Sequence, residues 1–173
     1  FSPQGWNGVA SAFHGAIRER LDWPGGAMKP RPVHLNSWEG YYFDHDLPRM
    51  IALADAAADV GVERFILDDG WFAGRDDDTS SLGDWRVDAG KYPHGLKPLA
   101  DHVVARGMEF GLWVEPEMVN PDSDLLRAHP DWVLGAPGRT QPLGRGQYAL
   151  DLTRLEVTDH LFGVLDGLLR DNA

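Results

Sequence analysis

Apolar positions in this chain gather in short runs, and between those runs they recur at helical spacing. Val33-His34-Leu35-Asn36-Ser37-Trp38, Arg64-Phe65-Ile66-Leu67-Asp68-Asp69-Gly70, whose apolar part ends abruptly in two carboxylates, and Glu109-Phe110-Gly111-Leu112-Trp113-Val114-Glu115-Pro116 read as strands. Leu47, Met50, Ile51, Leu53, Ala54, Ala57 and Ala58 follow a 3.6-residue period within 46–60, and Gly61 supplies a stop. A second helix is predicted over about 96–105, closed by Gly107, and a short one over 123–129. The segment 155–169 predicts an amphipathic helix with Leu161, Phe162, Leu165, Leu168 and Leu169 on one side. Residues 148–152 have strand character, and the pattern leaves open whether they join the main sheet or form an accessory strand. Residues 1–30, interrupted by glycine and proline around one stretch of helical or strand potential at 10–21, predict an irregular lead-in; 31–173 form the domain proper.

Strands that are apolar throughout and alternate with helices imply a parallel sheet, because parallel crossovers need helices to cover the sheet faces. A doubly wound sheet and part of a (β/α)8 barrel both satisfy this. The strand ends separate them: Asn36/Ser37/Trp38/Glu39, Asp68/Asp69/Trp71 and Trp113/Glu115/Glu117 each close a strand with polar and aromatic residues. A barrel gathers its chemistry at the carboxyl ends of consecutive strands, whereas a doubly wound sheet concentrates it at one switch point. The predicted fold class is therefore α/β, the N-terminal half of a (β/α)8 barrel. No glycine-rich phosphate loop follows a strand, so a nucleotide cofactor has no motif.

Charge narrows the partners. With 16 basic against 27 acidic side chains the net charge is −11, which argues against nucleic acid as a ligand, since polyanion binding needs a basic face. No apolar run reaches the ~18 residues of a membrane span, so no membrane partner is expected. The absence of cysteine removes disulfides, thiolate nucleophiles and zinc–sulfur sites. Seven histidines lie scattered without a metal-binding spacing, and Asp76-Asp77-Asp78 lacks the glycine that a calcium loop requires, Ser81 standing at that place. No metal site and no cofactor are expected.

Asp68 and Asp69 carry the candidate chemistry. Two carboxylates accepting from vicinal hydroxyls, beside an aromatic ring that covers the C–H face, suit a sugar, and Trp38, Trp71 and Trp113 offer such rings. The competing reading packs these tryptophans in the core and uses the aspartates to cap turns. Glu115-Pro116-Glu117 places further carboxylates at a strand end, where the proline ends the ladder and shapes the loop.

Together these segments resemble a known family. Asn36-Ser37-Trp38-Glu39, Leu67-Asp68-Asp69-Gly70-Trp71-Phe72, Gly83-Asp84-Trp85, Lys91-Tyr92-Pro93-His94-Gly95-Leu96, Gly111-Leu112-Trp113-Val114-Glu115-Pro116-Glu117-Met118-Val119 and Leu150-Asp151-Leu152-Thr153-Arg154 are similar, in order, to the catalytic barrel of bacterial α-galactosidases of glycoside hydrolase family 36. The resemblance implies a retaining exo-hydrolase of α-galactoside oligosaccharides. It implies that Asp68 and Asp69 bind galactose hydroxyls, that Trp38 and Trp113 line the pocket, and that Arg145 contacts a hydroxyl or orders the carboxylates. The family's nucleophile and acid/base aspartates would follow Ala173, so no catalytic residue is expected in this chain, and the chain alone is expected to be inactive. A barrel cut in half should self-associate as a homo-oligomer through its open sheet edges. By the same resemblance the location is cytoplasmic. The alternative is a non-catalytic carbohydrate-binding or interaction module.

Overall fold

A computed structural model describes residues 2–26, 28–136, 138–139 and 143–172. The chain divides into two compact units, residues 1–31 and 32–173.

The first unit corrects the expectation of an irregular lead-in. It forms a helix, α1, over Gly5–Arg18, followed by a single 3-10 turn at Pro24–Gly26. Trp6, Val9, Ala10, Phe13 and Ile17 recur at i, i+3, i+4, i+7 and i+11, which sets an apolar stripe along one side. That periodicity outweighs the cost of Gly8 and Gly15, about 1 kcal/mol each relative to alanine. Arg20 extends back and donates to the Ala16 carbonyl at 2.8 Å, satisfying an orphan acceptor of the last turn.

In the second unit, β1 (His34–Asn36), β2 (Arg64–Leu67) and β3 (Glu109–Leu112) form a parallel sheet in the order β1-β2-β3. Leu35 stands beside Phe65 and Phe65 beside Phe110, so the register aligns the carboxyl ends of the strands. After β1 comes a four-residue helix, α2 (Trp38–Tyr41), where the sequence pattern had extended the strand to Trp38. The crossovers are α3 (Leu47–Asp59) and α4 (Lys97–Ala105). Asp46 caps α3 by accepting from the Arg49 N–H at 3.0 Å, and Met50, Ala54 and Ala57 face the sheet. Leu99, Ala100 and Val103 do the same on α4. Leu99 and Val103, with Met50, Ala54 and Ala57, meet Phe65 and Leu67 of β2 in one core that also holds Trp71, Phe72, Trp85 and Tyr92.

The predicted strand at 148–152 is accessory. Tyr148–Ala149 (β5) pairs antiparallel with Met118–Val119 (β4) and takes no part in the parallel sheet. Of the barrel half that was expected, the described residues show three parallel strands with their helices. Beyond β4 lies α5 (Asp124–Ala128), and the chain closes with α6 (Leu155–Asn172). Val157 and Leu161 of α6 enter a second cluster with Val119, Leu125, Trp132 and Leu150, while Val164 and Leu168 pack on the main core. The helix thus turns its apolar surface toward two cores. Phe162 and Leu169, expected beside Leu161, are exposed instead. No helix among the described residues is long and apolar enough to cross a membrane.

Candidate sugar-binding site

The carboxyl ends of β1, β2 and β3 are tied to one another by side chains that the strands deliver there. At the end of β1, Asn36 donates its amide to Asp68 Oδ2 and accepts the Trp38 N–H at 2.8 Å. Ser37 Oγ accepts the Asp68 N–H at 3.0 Å. Asp68 Oδ1 takes the N–H of Asp69 at 2.7 Å. Each Asp68 oxygen therefore already holds one hydrogen bond, and a carboxylate oxygen has room for a second.

Asp69 lives in a different setting. Its Oδ1 accepts from Arg75 Nε at 2.9 Å and its Oδ2 from Arg75 Nη2 at 2.8 Å, the two-pronged fit of a guanidinium to a carboxylate. Both aspartates are nearly enclosed, Asp68 at 9% exposure and Asp69 at 6%. Alternation along the strand sends adjacent side chains apart; here one meets β1 and the other meets the loop that follows β2.

The turn after Asp69 is built around Gly70. Its φ is +100°, and a Cβ there would lie 2.9 Å from His45 Nε2 and 3.2 Å from Phe43 Cα, so only glycine fits. His45 Nε2 lies 2.9 Å from the Asp69 carbonyl. A carbonyl only accepts, so this nitrogen carries the proton, and Nδ1 accepts the Tyr92 hydroxyl at 2.7 Å. Burial pushes the His45 imidazole below its ordinary value and outweighs the opposing pull of the Asp69 carbonyl. Burial likewise pushes the Tyr92 phenol up, keeping its proton in place. Lys91 Nζ completes the support, donating to the carbonyls of Gly70, Phe43 and Arg75.

The tryptophans divide by burial. Trp71 is fully buried and donates its indole N–H to the Trp113 carbonyl at 2.9 Å, which ties β2 to β3. It is a core residue, as the competing sequence-based reading required for all of these rings. Trp38 and Trp113 are only half-buried. Trp38 meets Tyr42 and Phe43 edge to face at 5.1 Å, and Trp113 lies 6.1 Å from Trp85.

Arg145 arrives from a remote segment. Gly144 and Gln147 exchange backbone hydrogen bonds at 3.0 Å, while Arg145 and Gly146 adopt φ of 54° and 74°, the paired positive values of a type I′ hairpin turn. Gln147, at 2% exposure, donates to Glu115 Oε2 at 3.3 Å. Burial pushes the Glu115 carboxyl up; Arg145 draws it back, and Glu117 and Asp69 push it further up. Arg145, Glu115 and Asp69 therefore share one electrostatic neighbourhood.

Of the residues singled out from the sequence, Asp68 is joined through Asn36 to the Trp38 backbone, Asp69 to Asp68 through its own N–H, and the Trp113 carbonyl to Trp71, while Arg145 acts on Glu115 through charge. Arg75, His45, Lys91 and Gln147 had no assigned role in the sequence pattern. Arg75 stands six residues beyond Asp69, and a lone cation near paired acids was its one sequence signal. No group of three or more His, Asp or Glu that could hold a metal occurs among the described residues.

The Melibiase family model matches residues 1–173. An α-galactosidase of Escherichia coli is 53% identical over 162 residues, covering 93% of this chain and 23% of that protein. The crystal structure of GH36 α-galactosidase AgaB from Geobacillus stearothermophilus superposes with a TM-score of 0.89 at 46% identity, over 98% of this chain and 23% of that one. An AgaA variant from the same organism, crystallised in complex with raffinose, gives a TM-score of 0.87 at 44% identity over 94% of this chain and 23% of its own. The chain thus spans about a quarter of the length of these relatives.

Proposed function

The chain belongs to the Melibiase family of α-galactosidases, and on that premise we propose that its strand ends form the part of a retaining α-galactosidase that grips a terminal α-linked galactose. The observation that carries this reading is the Asp68–Asp69 pair at the end of β2, with the half-buried rings of Trp38 and Trp113 on the neighbouring strand ends. Carboxylates with spare lone pairs accept from hydroxyls, indole faces cover the apolar C–H side of the ring, and Arg145 donates to a further hydroxyl. Raffinose, held by the AgaA variant, indicates the substrate class: oligosaccharides ending in α-galactose. The three parallel strands are then the first strands of a (β/α)8 barrel, preceded by a junction segment over residues 1–30.

On this reading the chain binds without cleaving. Retaining hydrolysis uses two carboxyl groups ~5–5.5 Å apart on opposite sides of the scissile bond. Asp68 and Asp69 are consecutive on one strand end, and Asp69 is engaged by Arg75. They hold a ring better than they flank a bond. Glu115 receives the Gln147 amide beside a proline and is assigned to loop shape.

The test has two arms. Galactose titrated into isotope-labelled chain should shift resonances of Trp38, Asp68 and Trp113 with a dissociation constant in the millimolar range or weaker, about −4 kcal/mol, and Trp38→Ala should abolish the shifts. Incubation with a nitrophenyl α-galactoside should release no more chromophore than a heat-killed control. Turnover above that control would overturn the binding-only assignment, and unchanged spectra would overturn the site.

A further inference from the structure

Arg75 is 1% exposed, the least of any charged side chain among the described residues. A guanidinium this far from water persists only when its donors are matched. Beyond the fork onto Asp69, Nη1 donates to the Ser80 carbonyl at 2.9 Å and to Asn120 Oδ1 at 2.8 Å. The cation also lies 5.4 Å from the centre of the Phe43 ring and 5.7 Å from that of Phe72, close enough for attraction to the ring faces. Its ligands fix its plane and its position, and its burial keeps it from touching a sugar.

The second corner of this cluster is Asn120, which is fully buried. Its Oδ1 also accepts the Leu82 N–H at 3.0 Å, which sets the orientation of the amide. Its Nδ2 donates to the Gly146 carbonyl at 3.1 Å. Gly146 is the residue after Arg145 in the hairpin turn. A chain of matched contacts therefore runs from the Asp69 carboxylate through Arg75 and Asn120 to the turn that presents Arg145.

We propose that Arg75 is the positioning residue of the galactose site. It holds the Asp69 carboxylate in one orientation, with the lone pairs not used by the fork directed to sugar hydroxyls. Through Asn120 it keeps the Arg145 turn in register with that carboxylate. The proposal rests on the assignment of Asp69 as a sugar ligand. A lysine could supply the charge but not the fork, because an ammonium is a point charge without paired coplanar donors.

The experiment is a galactose titration followed by NMR on the 173-residue chain and on Arg75→Met, Arg75→Lys, Asp69→Asn, the Arg75→Met/Asp69→Asn double variant, Asn120→Ala and Trp38→Ala, well below each melting temperature. Arg75→Met and Asp69→Asn should each weaken binding at least tenfold, and the double variant should be no weaker than either alone. Arg75→Lys, which keeps stem and charge, should lose most of the affinity while retaining a dispersed spectrum. Arg75→Met and Asn120→Ala should both move the Gly146 amide resonance. A purely structural arginine would lower the melting temperature and leave the affinity of the folded variant intact. Parent-like affinity in folded Arg75→Met or Arg75→Lys, alongside lost affinity in Asp69→Asn, overturns the role of Arg75 alone. Should Arg75→Met not fold, Arg75→Lys decides. Absence of galactose binding in the parent, or intact binding in both Asp69→Asn and Trp38→Ala, refutes the sugar site, and the role of Arg75 falls with it.

Discussion

A single glycine shows how tightly the strand ends are made. Gly70 combines a φ of +100° with a close approach to His45 and Phe43, so Gly70→Ala meets both a backbone penalty of ~1–2 kcal/mol and a steric one. We expect the midpoint of urea unfolding to fall, and an unchanged midpoint would contradict the geometry around His45. That histidine makes stability depend on pH. Its pKa is lowered in the folded state by burial, so the unfolded chain binds the proton more readily. The stabilising contribution is therefore complete above the ordinary imidazole value of about 6.5 and declines as the pH drops below it toward the folded value. His160, also lowered by burial and by His129, acts in the same direction. Unfolding measured at pH 7.5 and pH 5.5 should show lower stability at the acid end, and His45→Gln should show a smaller difference. An identical difference in the variant would remove His45 as a source.

At the scale of elements, helix starts carry much of the local specification. Ser123 Oγ accepts the Leu126 N–H at 3.1 Å and donates to the Asn120 carbonyl at 2.9 Å, so it both caps α5 and anchors the segment holding Asn120. Ser123→Ala should cost ~1–2 kcal/mol, more than an exposed cap, because Ser123 is fully buried and the carbonyl loses its donor. Differential scanning calorimetry would detect it, and a loss no greater than that of Asp46→Ala, at an exposed cap, would argue against the double role. Elements were also where the apolar pattern was most legible. The helices at 47–59, 97–105, 124–128 and 155–172 and the three parallel strands lie where periodicity placed them. The pattern misjudged α1, because glycines inside a helix look like breaks. It also ran β1 on to Trp38, because a short helix after a strand has too few residues to show a period.

For the whole molecule, the free edges of the sheet matter most. Among the described residues no further strand pairs with the outer sides of β1 and β3. Beside β3 an apolar cleft of about 550 Å³ is lined by Val104, Phe110, Leu112, Val114, Leu165 and Leu168, among others. Unpaired strand edges next to apolar surface recruit further strands, which supports the proposal that copies of this chain self-associate. Sedimentation velocity across a concentration series should show mass rising with concentration, and a monomer at all concentrations would refute it.

The sequence by itself determined the alternation of strand and helix, the parallel sheet, and the carboxylates and aromatics that end its strands. Those features follow from periodicity and from residue type, which are local. Tertiary structure alone decided that Asp69 is clamped by Arg75 while Asp68 leans on Asn36, that Trp71 is core while Trp38 and Trp113 stay partly open, and that residues 148–149, just after the turn holding Arg145, pair with 118–119 instead of joining the main sheet. Partnership of a buried charge and the facing of a ring depend on what distant segments bring within a few ångströms, and spacing along the chain does not encode that.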